Sequence, residues 1–151
     1  MKLMDVVIPT GVISPGTLIG EAFRECVKHG VGGLPFVNAE GEIIGRFSLR
    51  HTFKSLCLPQ DLSRHAHLLG DKICSESTPE VVNGDILELA VDPFIITAHI
   101  ATVTPHSPVI KALSIMEKFN SGYIFLLDDE RYVGVVTRMA VANLLLKYHK
   151  F

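Results

Sequence analysis

Two hydrophobic periods alternate along this chain, and they change over at the same relative places twice. From Leu18 to Val27 the apolar residues Leu18, Ala22 and Cys26 recur at helical spacing, with Phe23 and Val27 beside them. The pattern predicts an amphipathic helix that Gly30 ends and Thr17 caps, with Glu21 near its positive start. Short apolar runs then follow. Phe36 and Val37 close one strand, Asn38-Ala39-Glu40-Gly41 makes a turn, and Ile43, Ile44 and Phe47 continue in a second strand. Gly45 and Ser48 stand where that strand gives way to a helix over 49–56. A Gly there lets a backbone approach closely, and a Ser can cap the helix or hydrogen-bond a ligand. Ahead of all this, Met4 to Ile8 is a short apolar segment, Pro9-Thr10-Gly11 turns it, and Val12-Ile13-Ser14 reads as a brief strand.

After residues 57–93, the same order returns. Phe94-Ile95-Ile96 and Ala101-Thr102-Val103 match 4–13 in character, and Thr104-Pro105-His106-Ser107 matches Ser14-Pro15-Gly16-Thr17. Ala112, Lys118 and Gly122 match Ala22, Lys28 and Gly32, each 90 positions apart. Gly134 and Thr137 match Gly45 and Ser48 at 89, one residue having been lost in the turn at 128–130. Tyr123 to Leu127 and Tyr132 to Thr137 are the strands, and 138–148 is the closing helix. Type, spacing and order all repeat, so the chain is an internal duplication. Each half is too small to bury its apolar faces alone, which predicts that the two pack as one unit. The division is 1–56, a connecting segment 57–93, and 94–151. In the connecting segment, 61–74 is expected to hold a helix and 81–91 a further helix or irregular turn.

Composition narrows the function. Of 151 residues, 48% are hydrophobic and 20% charged, which suits a folded domain with a sizeable core. The net charge of -2, without a basic block, argues against nucleic acid as partner, since neutralising a phosphate backbone needs a basic stripe. No run is long enough to span a membrane and no signal peptide is evident, so a cytoplasmic protein is expected. The positive mean hydropathy then points to strands buried on both faces, or to an apolar surface covered by another subunit. Three cysteines, Cys26, Cys57 and Cys74, read as free thiols in a reducing compartment. The set Cys57, His65, His67 and Cys74 lacks the paired spacing of zinc sites. No nucleophile elbow, H-E-x-x-H or spaced carboxylate pair is present, so no catalysis is expected. Val31-Gly32-Gly33 lacks the Lys of a phosphate loop. Arg46, Arg50 and Arg138 carry charge suited to phosphate, in positions where most such residues are simply solvated.

The repeated stretches resemble the CBS domain, whose plan is a short strand, T-V-x-P-x-T, a helix, H-G-x-x-x-L-P-V-V-D, a turn, then G-h-[VI]-[ST]-x-x-D and a helix. The first copy here supplies V-I-S-P-G-T, H-G-V-G-G-L-P-F-V-N and G-R-F-S-L-R-H; the second supplies T-V-T-P-H-S, F-N-S-G-Y-I-F-L-L-D and G-V-V-T-R-M-A. Together they cover nearly the whole chain apart from the connecting segment, as in a stand-alone CBS pair, or Bateman module. The resemblance implies an α+β fold: tandem CBS domains, two β-α-β-β-α units packed with pseudo-two-fold symmetry. It also implies two clefts for adenosine-containing ligands, and a homodimer formed through the CBS helices.

The resemblance assigns residues as well. One cleft would use Gly11, Val31, Gly32 and Pro35 with Thr137 and Ala140. The other would use Ala101, Ser121, Gly122 and Phe125 with Ser48 and His51. No cofactor is required; the implied regulatory ligands are AMP, ADP, ATP or S-adenosylmethionine. One departure stands out. The Asp that accepts from the ribose hydroxyls is His51 in one copy and Ala140 in the other. Ala cannot accept, and a buried hydroxyl without a partner costs about 1–3 kcal/mol. The Ala140 cleft is therefore a poor nucleoside site, and the His51 cleft, with Arg50 beside it, favours a more anionic ligand. Two functions follow: a regulatory sensor of an adenine nucleotide or related adenosyl metabolite, or a ligand-free dimeric adaptor that acts through a protein partner. Metal binding through the connecting segment is a remote third.

Overall fold

The chain is described by a computed structural model covering residues 2–58, 67 and 84–151. The expected helix over 61–74 lies outside the described residues except for His67, as do 81–83 of the helix or irregular turn expected over 81–91. In the part that is described, Gly84–Glu88 forms a 3-10 turn.

In the first half, α1 (Ile19–His29) leads to the hairpin β1 (Gly33–Val37) and β2 (Ile43–Ser48), then α2 (Leu49–Cys57). In the second half, β3 (Thr102–Val103) and α3 (Val109–Lys118) precede the hairpin β4 (Tyr123–Asp128) and β5 (Arg131–Thr137), and α4 (Arg138–Tyr148) closes the chain. The sheets are β1-β2 and β3-β4-β5. Val103 pairs in parallel with Leu126, and its equivalent in the first half is a single parallel bridge between Ile13 and Phe36. The architecture is α+β, a tandem repeat with mixed helices and two small sheets.

Local chemistry repeats with the elements. Gly30 takes a left-handed conformation, φ 65°, after α1, and Asn120 does the same, φ 49°, after α3. Their successors Val31 and Ser121 donate back to Cys26 and Met116 carbonyls, closing both helices alike. One expectation is corrected. Thr17 does not cap α1: its hydroxyl accepts from the Ser14 N–H at 3.2 Å, across the Pro15-Gly16 turn. Ser107 does the same for Thr104 at 3.0 Å. The helix start is met instead by Glu21, which accepts from the Leu18 N–H. The N-cap position falls to Leu18, whose side chain cannot accept, and a first-turn carboxylate takes over.

Strand alternation then joins the halves. On β4, Tyr123 and Phe125 point into a core with Ile13, Ile19, Leu34, Phe36 and Phe47 of the first half. Ile124 and Leu126 point the other way, onto Ala112, Met116 and Val141 of α3 and α4. The apolar excess of the sequence goes into strands buried on both faces. Each half also lends a segment to the other: Ile8 bridges Val135 on β5, and Ile96 bridges Arg46 on β2, each through two backbone hydrogen bonds of 2.8–2.9 Å. Glycines make room for both crossings. A Cβ on Gly134 would lie 2.4 Å from the Ile8 carbonyl oxygen, and one on Gly45 would lie 2.5 Å from Ile95 Cγ2. No helix among the described residues is long and apolar enough to cross a membrane.

Candidate functional site

Ser48 and Thr137 end equivalent strands and start equivalent helices. Each hydroxyl accepts from the N–H three residues on, Ser48 from His51 at 3.3 Å and Thr137 from Ala140 at 3.1 Å. Both are therefore N-caps, and each keeps its own hydroxyl proton for a further partner. The helices they cap, α2 and α4, open onto a single cavity of about 470 Å³ between the halves. Equivalent residues from both halves line it, Ser48 with Thr137 and Gly32 with Gly122, so it straddles the pseudo-two-fold axis.

The charge of this cavity is one-sided. Arg46, Arg50, Lys54 and Arg138 line it together with His51, and among the described residues no Asp or Glu does. Two helix N-termini add their partial positive charges. In a chain of net charge -2 this is a marked local excess of positive potential, of the kind that draws in anions. Tyr123 stands at the inner wall. Its hydroxyl receives a hydrogen bond from Arg46 Nη1 at 2.6 Å, and the guanidinium carbon lies 5.7 Å from its ring centroid. Burial raises the Tyr123 phenol above its ordinary value, with Arg46 pulling the other way, so the phenol stays neutral. Arg138 is held outward, donating to the Ser121 carbonyl at 2.9 Å and to Glu117 at 3.4 Å.

Six of the residues assigned by resemblance line this one cavity, drawn from both implied clefts: Gly32, Ser48, His51, Ser121, Gly122 and Thr137. Ala101 and Phe125 lie around a small adjoining void that shares Arg46, Ser121 and Tyr123 with it. The other four lie elsewhere. Val31 is part of the core, and Pro35 is buried in β1 with its carbonyl accepting from Ile13. Ala140 is half-buried in the first turn of α4. The Gly11 N–H, which the resemblance would offer to an adenine edge, already donates to Glu25 Oε1 at 2.8 Å. That carboxylate also pairs with His29 at 2.9 Å. The Gly11 N–H holds it below the usual carboxylate range, and His29 adds to the effect. Beside it, Thr10 and Tyr132 share a hydrogen bond of 2.6 Å. The protein's own groups thus occupy the polar atoms on that side.

Sequence reasoning gave Tyr123 no role beyond its strand and passed over Lys54 and Asn120. Lys54 had a signal, since it sits one helical turn after Arg50 on the same face. Tyr123 had none, because its role depends on a residue of the other half.

Comparison with known proteins agrees with this architecture. The CBS domain matches residues 3–56 and 91–147. A CBS-domain containing protein from Agrobacterium tumefaciens has a crystal structure similar to this one, with TM-score 0.65, 16% identity and 95% of both chains covered. One from Bacillus anthracis gives 0.64 at 18% identity, over 97% of this chain and 94% of that one. CBSX2, solved in complex with AMP, gives 0.64 at 17% identity, over 98% of both. These likenesses concern the fold. In sequence, the A-adding tRNA nucleotidyltransferase of Aquifex aeolicus is 25% identical over 142 residues, which is 93% of this chain and 14% of that protein. The chain thus spans about a seventh of that relative's length. With matches to both halves, in the order that the duplication dictates, the chain belongs to the CBS domain family and carries two CBS domains in tandem.

Proposed function

We propose that this CBS pair is a regulatory module that binds an adenine nucleotide or related adenosyl metabolite in the cavity between its halves. The observation that carries the reading is a cavity of about 470 Å³ with four fixed cations, two capped helix N-termini and, among the described residues, no carboxylate. Its size lies in the range of small-molecule sites. Support also comes from CBSX2, a protein of similar fold solved with AMP. Because both halves line the cavity, a ligand that favours one arrangement of the halves shifts their equilibrium, and this is how occupancy becomes a signal. Isothermal titration of AMP, ADP, ATP and S-adenosylmethionine tests the reading. Saturable binding weakened by Arg50→Glu is the expected result, and flat traces for all four end it.

A second reading, a dimeric adaptor, is favoured by α4, where Leu145, Leu146 and Tyr148 are exposed although Val141 and Leu144 already face the core. A helix that remains apolar beyond its buried stripe fits a covered face. Light scattering after size exclusion checks it, and a monomer at tens of micromolar sinks it.

A further inference from the structure

Arg46 is placed unlike the other cations of the cavity. Arg138 has a carboxylate at 3.4 Å, whereas Arg46 has no ion pair among the described residues. Its Nη1 is committed to the Tyr123 hydroxyl. Its Nε is buried with no hydrogen-bond partner among the described residues. The arrangement is built from both halves. Tyr123 packs over Gly33, where a Cβ would come within 2.2 Å of the ring, so only a glycine admits the ring that holds the guanidinium. The Arg46 backbone is fixed as well, paired in both directions with Ile96. With Nη1 held and Nε buried, Nη2 is the nitrogen left for a ligand. Its N–H donors and delocalised charge suit the oxygens of a phosphate.

The rest of the lining has the same bias. His51 and Ala140 stand where the resemblance implies carboxylates that accept from ribose hydroxyls, and among the described residues no carboxylate in the lining replaces them. Together with Arg46, Arg50, Lys54 and the two helix starts supply more positive charge than one phosphate neutralises. We propose, building on the nucleotide reading above, that the cavity is a condensed-phosphate site organised on Arg46. It takes its ligand by a di- or triphosphate, free or carried on a nucleoside, and does not read the ribose. Tyr123 is the positioning residue that aims Arg46.

Calorimetric titration of the whole chain at fixed ionic strength with adenosine, AMP, ATP, pyrophosphate and tripolyphosphate tests this. Adenosine is expected not to bind, affinity rises from AMP to ATP, and tripolyphosphate binds within a few-fold of ATP. Arg46→Ala lowers ATP and tripolyphosphate affinity about 10- to 100-fold, the worth of a charge-assisted hydrogen bond. Arg46→Lys keeps the charge without the fork and falls between; it guards against a folding defect in the alanine variant, which a thermal melt reports. Tyr123→Phe keeps the ring over Gly33 and weakens tripolyphosphate several-fold, but has no further effect once Arg46 is alanine; a merely structural role would persist in that background. If AMP and ATP bind alike and Arg46→Ala changes neither, the proposal is overturned while the nucleotide reading stands. Tripolyphosphate bound through Arg46 with no nucleotide bound sustains the proposal and removes the nucleotide reading.

Discussion

The two halves of this molecule share a backbone and differ where they face each other. At equivalent positions, 90 and 89 residues apart, the first half has Gly33 and Arg46, and the second has Tyr123 and Val135. Arg46 and Val135 have the same backbone role, each paired twice with the crossing segment of the other half. Their side chains part company: Val135 joins the core, and Arg46 lines the cavity. Tyr123 uses the space that Gly33 leaves and turns it into an anchor for Arg46. On the opposite side, Glu25 and Tyr132 take up the polar atoms of Gly11 and Thr10. A duplicated scaffold thus carries an open cavity lined by cations and a self-satisfied flank. What the repeat preserves is hydrogen-bonded backbone, and what it varies is side chains at the seam.

Substitutions can break this comparison in order of effect. Gly134→Ala is expected to cost the most, about 3 kcal/mol, because the new Cβ meets the Ile8 backbone at 2.4 Å, which cannot move without breaking the Ile8–Val135 bridge. Gly45→Ala, its equivalent, meets the Ile95 side chain first and is expected to cost about 1–2 kcal/mol. Urea unfolding of both variants checks the ranking, and equal midpoints would show that the two crossings are packed alike.

Next come the caps. Ser48→Ala and Thr137→Ala should each destabilise by about 1 kcal/mol, since both hydroxyls accept from an N–H of the first turn. A similar loss in both, read by thermal melts, would sharpen the case that the two strand-to-helix joints remain equivalent. A loss confined to one would end it.

The smallest effect concerns the flank. The Glu25 carboxyl lies below its ordinary value of 4.5 in the folded chain, chiefly through the Gly11 N–H. Its contribution is present above that ordinary value and is lost as pH falls through the lower, folded one. Being half-exposed and screened, it amounts to less than about 1 kcal/mol. Glu25→Gln should flatten that acid portion of the stability curve, and an unchanged curve would remove Glu25 as the holder of Gly11. In alkali the sign reverses. Burial raises the Tyr132 phenol from 10.0 to about 12, so stability resting on its neutral form is intact below 10 and declines as pH rises toward 12. Tyrosine absorbance should show its ionisation coinciding with that decline.

Much of the fold was legible because it rests on short-range signals. The hairpins followed from apolar runs around Asn38–Gly41 and Asp128–Glu130, and the structure holds them there: Asn38 Oδ1 accepts from the N–H groups of Glu40 and Glu42, and Asp129 and Glu130 are both left-handed. Thr17 misled because a hydroxyl before a helix can serve either a cap or the preceding turn, and sequence does not rank the two. The candidate site was legible only in part. The helix starts at Ser48 and Thr137 carry a local signature, but no local signature says that both open onto one cavity.

The sequence by itself determined the duplication, the order of elements, the capped helix starts and the absence of aspartates at 51 and 140. Each of these is a property of residues near one another in the chain. Tertiary structure alone decided that Tyr123 would hold Arg46, that Gly33 would make room for it, and that Glu25 would take the N–H of Gly11. Those outcomes depend on contacts between segments far apart in sequence, the first two across the seam between the halves, where small differences in side-chain volume and charge choose which groups meet.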